Sequence, residues 1–192
     1  MTNTIKLLES INEVSKLEQC EKAYTKYVNN HISNVQKAWN NEVSKLDDDF
    51  IQSNLDELTE QISHHDESKY SPDEFDAYRA NYNPISDQEK IDNEANFQAA
   101  WWHHFQNNPH HWQHWLDDNG NFIKDYNLDE IKKAYIEMIC DWQAMGYVFG
   151  DTAKQYYDQN KDTIKIIPEL KEWLEDLLNK LENLKGGNID EK

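Results

Sequence analysis

Turn-forming residues and cysteines are scarce in this 192-residue sequence. Five glycines and four prolines leave long stretches without a helix breaker, which argues against many short strands. Cys20 and Cys140 lie far apart and form no C-x-x-C motif. No apolar run reaches the roughly 18 residues that a membrane span needs, and the N-terminus lacks the apolar core of a signal peptide. We therefore expect an all-α protein in a reducing, cytoplasmic compartment.

Basic residues are also few, with 19 against 37 acidic ones, and the formal net charge of −18 is spread along the chain. This balance disfavours binding to duplex nucleic acid and to anionic membranes. An acidic surface raises the local concentration of cations, although a solvated surface that keeps the protein soluble is the simpler interpretation. The charge leaves the oligomeric state open.

Aromatic residues are plentiful, because seven Trp, ten Tyr and six Phe supply large apolar side chains despite a mean hydropathy of −1.01. A chain of this length fits one domain. We therefore predict a single helical bundle over residues 1–185 and a flexible C-terminal tail over residues 186–192.

Apolar residues recur with helical spacing and bring polar side chains onto inward faces. His31 shares a stripe with Tyr24, Val28 and Val35. A second stripe over residues 51–65 predicts a helix that carries His65 and ends at the adjacent Asp66. Ser71-Pro72-Asp73-Glu74 has the residues of a capping box and predicts a helix to about residue 81, and a further helix is predicted from Asp87 through Trp102.

Asp141 lies on an apolar stripe with Ile131, Tyr135 and Met138. A buried carboxylate needs a cation, a metal ion or several hydrogen-bond donors. Neutral imidazole and ionised carboxylate together suit first-row transition metals. The sequence thus predicts a site for a divalent ion (Mn, Fe, Co, Ni or Zn). A second ion would be bound by further histidines. The candidate ligands for both ions are His31, His65, Asp66, Asp141, His104, His110 and His111.

Simpler interpretations exist for each of these residues alone. A single histidine on an apolar stripe is more often a hydrogen-bonded core residue than a ligand. Lys69 or Arg79 could neutralise Asp141 in an ion pair. Two further residues have predicted functional roles. Lys69, which would lie one helical turn after His65 if the helix continued, would contact a phosphate or leaving oxygen. Glu137, on the same face as Asp141, would orient a ligand histidine. A salt bridge for Lys69 and an exposed position for Glu137 are the alternatives.

The order of His31, then His65-Asp66, then Asp141 resembles the HD-domain superfamily of metal-dependent phosphohydrolases. His65 and Asp66 are followed three residues later by Lys69, as in that family, and His104, His110 and His111 are similar to the extra histidines of its multinuclear members. The short interval between these histidines departs from the family pattern. Three strings (HDESK at 65–69, HHFQNNPHHW at 103–112 and EMICDWQAM at 137–145) also resemble an uncharacterised family of phages and bacteria.

The resemblance implies a helical metal-dependent phosphohydrolase that uses water activated by one or two ions, with Asp66, Lys69 and Glu137 as catalytic candidates. The implied substrate is a small phosphorylated molecule, with nucleotides among the candidates. Two alternatives stay open at this point. One is a di-iron oxygenase on the same scaffold, and the other is a non-catalytic acidic binding protein of phage or bacterial origin that carries a structural metal.

Overall fold

A computed structural model describes the backbone of residues 2–186 and the side chains of residues 13–184. Within these residues the prediction of an all-α fold is confirmed, since no strand forms and one isolated antiparallel bridge pairs Leu116 with Phe122. The α-helices are α1 (Thr2–Asn41), α2 (Asp49–Ser53), α3 (Leu55–Ser63), α4 (Phe75–Tyr82), α5 (Asp87–Asp92), α6 (Glu94–Asn107), α7 (Leu128–Phe149), α8 (Ala153–Asn160) and α9 (Pro168–Gly186). Short 3₁₀ helices span Val43–Lys45, Glu67–Tyr70 and Trp112–Trp115.

The chain divides into two compact units. The first unit consists of Met1–Asn30 and Glu67–His104, and the second unit consists of His31–Asp66 and Phe105–Lys192. The prediction of a single domain over residues 1–185 stays a prediction. Of the predicted tail, Gly186 ends α9, and residues 187–192 lie outside the part of the chain that the structure describes.

Helix α7 is the centre of the second unit. The N-terminus of α7 is capped, because the Asn127 side chain accepts a hydrogen bond from the Asp129 amide. Ile131, Tyr135 and Ile139 on α7 are fully buried and belong to the same core as the leucines of α9, which are Leu170, Leu174, Leu177, Leu178 and Leu181. Burying such side chains contributes roughly 1.5 to 3 kcal/mol each. This core holds α7 in place and thereby fixes the position of Asp141.

The first unit has an aromatic core. Tyr24 on α1 packs edge-on against Phe75 with ring centres 5.3 Å apart, and Tyr78 on α4 packs against Phe97 on α6 at 5.2 Å. Edge-to-face pairs of this kind are favourable because the positive ring edge meets the negative face of its neighbour. These contacts join α1, α4 and α6 within the first unit.

Three predicted helices have different bounds in the structure. The helix expected over residues 51–65 is divided at Asn54, whose side chain donates to the Phe50 carbonyl, and it ends at Ser63, before His65. The helix expected to begin after Ser71 begins at Phe75. The helix expected from Asp87 is divided at Asn93, whose side chain donates to the Ala77 carbonyl. In each asparagine case a side-chain hydrogen bond to the backbone competes with a continuous helix.

Two apolar residues of that last predicted helix are exposed, Ile91 at 67% and Trp102 at 58%. Dividing the helix at Asn93 changes the phase of the apolar stripe, so these positions no longer share one face. Among the helices within residues 2–186, none has both the length and the apolar character that crossing a membrane requires.

Candidate metal centre

Three segments of the second unit bring polar side chains to one place. His31 comes from α1, Asp141 comes from α7, and His65 and Asp66 follow the end of α3. Helix α3 ends at Ser63 with His64 as its C-cap, and the chain turns directly after it. We call His31, His65, Asp66 and Asp141 the four-residue cluster.

Asp66 has a backbone conformation that side chains rarely adopt. Its φ of 60° lies in the left-handed region, and no other non-glycine residue in the described chain has a positive φ. Aspartate tolerates this region better than most residues, at a cost of about 1 to 2 kcal/mol. The turn places the Asp66 carboxylate next to the His65 imidazole, although the two residues are adjacent in sequence. Strain of this kind is common at functional sites.

The donor atoms of the four-residue cluster converge. His31 Nε2 lies 3.2 Å from Asp66 Oδ2 and 3.2 Å from Asp141 Oδ1. His65 Nε2 lies 3.3 Å from His31 Nε2 and 3.4 Å from Asp66 Oδ2. Atoms that share an ion at about 2.0 to 2.2 Å are separated from one another by roughly 3 to 3.5 Å. Each of these four contacts therefore has the spacing of atoms in one coordination shell, and His31, His65 and Asp141 offer donor atoms that all lie within 4.8 Å of one another.

Glu137 on α7 orients two of the histidines. Its Oε1 accepts hydrogen bonds from His65 Nδ1 at 2.7 Å and from His110 Nδ1 at 3.2 Å, and its Oε2 accepts from the Gln61 amide at 2.6 Å. A carboxylate can only accept, so each Nδ1 donates to Glu137, and in the neutral imidazole each Nε2 then carries the lone pair. A carboxylate that holds the far nitrogen of an imidazole is the usual support of a histidine ligand.

The surroundings of Glu137 and Asp141 favour the ionised form of both carboxyl groups. Burial opposes ionisation of Glu137, but the His110 and His65 imidazoles hold its pKa well below the usual value. Burial also opposes ionisation of Asp141, and the hydrogen bond and charge of His31 outweigh it, so the pKa of Asp141 is lowered as well. Ionised carboxylates are the form that binds a metal ion.

Asp66 also faces a second group of donors in the second unit. One oxygen atom of its carboxylate and a ring nitrogen from each of His110 and His111 lie within 4.8 Å of one another. The Asp66 Oδ1 to His110 Nε2 distance is 3.6 Å. The loop that carries both histidines is anchored because Trp115 Nε1 donates to the Pro109 carbonyl at 2.9 Å. Since Oδ2 of Asp66 faces the four-residue cluster and Oδ1 faces His110, this carboxylate can bridge two ions.

The first unit contains two other predicted site residues. His104 is fully buried, and its Nδ1 lies 2.8 Å from Glu74 Oε2 and 3.2 Å from Ser68 Oγ. Lys69 lies in the 3₁₀ helix Glu67–Tyr70, with its ammonium 5.8 Å from the centre of the Tyr78 ring. The helix does not continue from His65 to Lys69, because α3 ends at Ser63 and the chain turns at Asp66. The predicted roles of His104 and Lys69 stay predictions.

Sequence reasoning missed the actual partners of Glu74. We predicted that it would complete a capping box, but its fully buried carboxylate accepts from His103 Nδ1 and His104 Nδ1, each at 2.8 Å. Burial opposes the ionisation of Glu74, while His104, His103 and Ser68 together keep its pKa below the usual value. No local sequence signal distinguishes the binding of these two histidines from helix capping, since both need glutamate at the same position.

A wide cleft of about 1000 Å³ in the first unit is a poor candidate for a phosphate site. It is lined by several carboxylates, among them Asp73, Asp76 and Asp92. Arg79 also lines it, but its guanidinium is paired with Glu89 at 2.8 Å. The excess of negative charge would repel a phosphate ester.

Of the predicted metal ligands, the structure thus brings together His31, His65, Asp66 and Asp141, and it brings His110 and His111 to the other side of Asp66. Neither the curated proteins nor the solved structures include a match to this chain. The model of a family of unknown function, DUF5662, matches residues 20–182, which is most of the sequence. The chain therefore belongs to the DUF5662 family.

Proposed function

We propose that this protein is a metal-dependent phosphohydrolase of the HD-domain type that acts on a small phosphorylated substrate. The single observation that carries the proposal is the convergence of His31 Nε2, His65 Nε2, Asp66 Oδ2 and Asp141 Oδ1, with neighbouring atoms 3.2 to 3.4 Å apart. The order of these residues in the sequence is the order that resembles the HD-domain superfamily. Nucleotides are one class of substrate to test.

The donor set suits a divalent transition metal. Two imidazole nitrogens and two carboxylate oxygens are the mixed ligands that Mn, Fe, Co, Ni and Zn accept. Asp66 with His110 and His111 offers ligands for a second ion. When bound, such ions lower the pKa of a coordinated water and neutralise negative charge on a phosphoryl group.

The protein's own residues have three roles in this proposal. His31, His65 and Asp141 bind the first ion, and Asp66 joins the two ion sites through its two oxygen atoms. Glu137 holds His65 and His110 with their Nε2 lone pairs turned away from its carboxylate. The strained backbone at Asp66 keeps its carboxylate beside His65, so the site is arranged before an ion binds.

The test compares two adjacent histidines. His65 is buried in the cluster, whereas the His64 side chain is 56% exposed and contacts Glu60. We expect protein purified without chelator, or reconstituted with each of the five metals, to contain one or two ions per chain. His65→Ala should lose the ion, and His64→Ala should keep it.

Activity is measured on the same samples with nucleotides, cyclic dinucleotides and an aryl phosphate. Turnover by wild type and by His64→Ala, but not by His65→Ala, would support hydrolysis. A wild-type protein that binds no ion after reconstitution would overturn the proposal. Ion binding without turnover, combined with oxygen consumption by the ferrous protein, would instead indicate a di-iron oxygenase.

We also propose a cytoplasmic location. Cys20 and Cys140 both carry free thiols, which is the state expected in a reducing compartment. Alkylation of thiols in intact cells before lysis tests this proposal, because an oxidised Cys20 would escape labelling.

A further inference from the structure

The four-residue cluster is most open on the side of Asp141. His65 and Asp66 are each 1% exposed and His31 is 8% exposed, whereas the Asp141 side chain is 16% exposed. A molecule that arrives from solvent therefore meets Asp141 before the other members of the cluster. Groups of the second unit next to Asp141 are the first candidates for contact with a substrate.

Tyr156 on α8 lies within electrostatic range of Asp141. Its ring centre is 5.5 Å from that of Trp142, the residue that follows Asp141 on α7. Tyr157 packs against the same Trp142 ring at 6.1 Å. The two tyrosines differ in what their hydroxyls do. Tyr157 is buried and donates to Glu175 at 2.9 Å, but Tyr156 is 39% exposed and its hydroxyl bonds to none of the described residues.

Electrostatics keeps the Tyr156 hydroxyl protonated. Burial raises the pKa of Tyr156, and the carboxylates of Asp141 and Asp151 raise it further. The hydroxyl is therefore a neutral hydrogen-bond donor within electrostatic range of the Asp141 carboxylate. A lysine at this position would pair with Asp141 and compete with an ion for its charge, whereas a hydroxyl can donate to an anionic oxygen without doing so.

A donor at this place fits the chemistry of a phosphate ester. The chain carries a formal charge of −18, so a phosphate that enters the site needs donors that offset repulsion from the surrounding carboxylates. Hydrogen bonds to charged groups are about twice as strong as those between neutral groups. The Trp142 ring fixes the Tyr156 ring, which limits the entropy lost when its hydroxyl binds.

We propose that the Tyr156 hydroxyl donates a hydrogen bond to a phosphoryl oxygen of the substrate, which makes Tyr156 a substrate-binding residue at the opening beside Asp141. This inference rests on the proposed phosphohydrolase function. It assigns Tyr156 to binding of the phosphoryl group and not to binding of the ion.

The experiment compares Tyr156→Phe with Tyr157→Phe. Each change removes one hydroxyl and leaves the ring that packs on Trp142, so both variants should fold. The measurements are the metal content, the affinity of the metal-loaded protein for inorganic phosphate by calorimetry, and the KM and kcat for an aryl phosphate. Tyr156→Phe should keep its ion, weaken phosphate binding about tenfold or more, and raise KM with little change in kcat.

Tyr157→Phe should keep the wild-type phosphate affinity, although it loses the bond to Glu175 and some stability. Wild-type phosphate affinity in Tyr156→Phe would overturn the inference and leave the proposed function standing. Loss of the ion from Tyr156→Phe would also overturn it, because the residue would then act on the metal site. A metal-loaded wild type that neither binds phosphate nor hydrolyses any ester would overturn the inference together with the proposed function.

Discussion

Glu137→Gln tests whether one carboxylate orients two metal-binding histidines. The Glu137 side chain accepts from His65 Nδ1 at 2.7 Å, from His110 Nδ1 at 3.2 Å and from Gln61 at 2.6 Å. A glutamine has the same size but a single acceptor oxygen. Its oxygen can serve the histidines or the Gln61 amide, but not both, so at least one of these donors loses its acceptor.

The expected loss of metal affinity follows from the loss of an acceptor oxygen in Glu137→Gln. Removing the hydrogen-bond partner of a histidine ligand typically weakens metal binding by about 10- to 100-fold, which is roughly 1.4 to 2.7 kcal/mol. Because Glu137 supports two histidines, we expect a loss at the upper end of this range. Calorimetric titration of the metal-free protein with Zn²⁺ or Mn²⁺ measures it.

Glu175→Gln is the matched control. Glu175 is also on a helix of the second unit and accepts a hydrogen bond from a tyrosine, Tyr157, but it has no contact with the cluster histidines. The Glu175→Gln variant should therefore bind the ion with wild-type affinity. The reasoning is refuted if Glu137→Gln retains wild-type affinity, or if Glu175→Gln loses as much affinity as Glu137→Gln.

Three further predictions concern stability. In Gly146→Ala the new Cβ would lie 2.5 Å from the Asp151 carbonyl oxygen, so we expect the variant to be destabilised by about 1 to 3 kcal/mol. A denaturant titration measures this loss, and an unfolding midpoint equal to that of the wild type would contradict the prediction. Burial raises the pKa of Tyr135 to about 12, so the contribution of Tyr135 to the free energy of unfolding should be constant below pH 10 and fall as the pH rises from 10 to 12. In denaturant titrations over this range, the stability of Tyr135→Phe, which also loses the acceptor for the Ile167 amide, should fall less steeply than that of the wild type. A chelator should lower the melting temperature of the metal-loaded wild type by roughly 5 to 10 °C and leave the melting temperature of His65→Ala unchanged. Equal shifts in the two proteins would show that the ion binds elsewhere.

The helical periodicity of the sequence was sufficient to predict which polar residues point inward. His31 and Asp141 each share a stripe with apolar residues that the structure buries, among them Val35 and Tyr135. The period of 3.6 residues fixes the face of a helix regardless of what packs there. That is why two separate helices could be assigned to one site before their contacts were known.

The local geometry of the His-Asp pair was beyond sequence reasoning. Periodicity placed His65 on a helix that in fact ends at Ser63, and nothing in the sequence indicates that Asp66 adopts a positive φ. A left-handed aspartate is stable only when its surroundings require it. Here His31 and His65 contact its carboxylate, and these are tertiary contacts that a single sequence does not reveal.

The partners of the two buried glutamates were equally hidden. Glu137 contacts His65, which is 72 residues away in the sequence, and Glu74 contacts His104 at a separation of 30 residues. Helical spacing placed Glu137 on the same helix face as Asp141, but the capping-box pattern predicted a role for Glu74 that it does not have. Capping depends on neighbours in sequence, whereas the bonds of both glutamates to histidines depend on the fold. The pairing of buried imidazoles with buried carboxylates is therefore the feature that the sequence predicts least well and the structure reveals.

The charges of the second unit give an independent reason to expect an ion. Asp66, Asp141 and Glu137 are carboxylates with little exposure to solvent, and ionised groups in such a place need compensating positive charge. One protonated imidazole could supply part of it, but His31 Nε2 and His65 Nε2 are 3.3 Å apart, and two positive charges at that distance repel strongly. A divalent cation would offset two carboxylates at once and would turn both nitrogens from competing charges into ligands, and this balance of charge supports the proposed metal site.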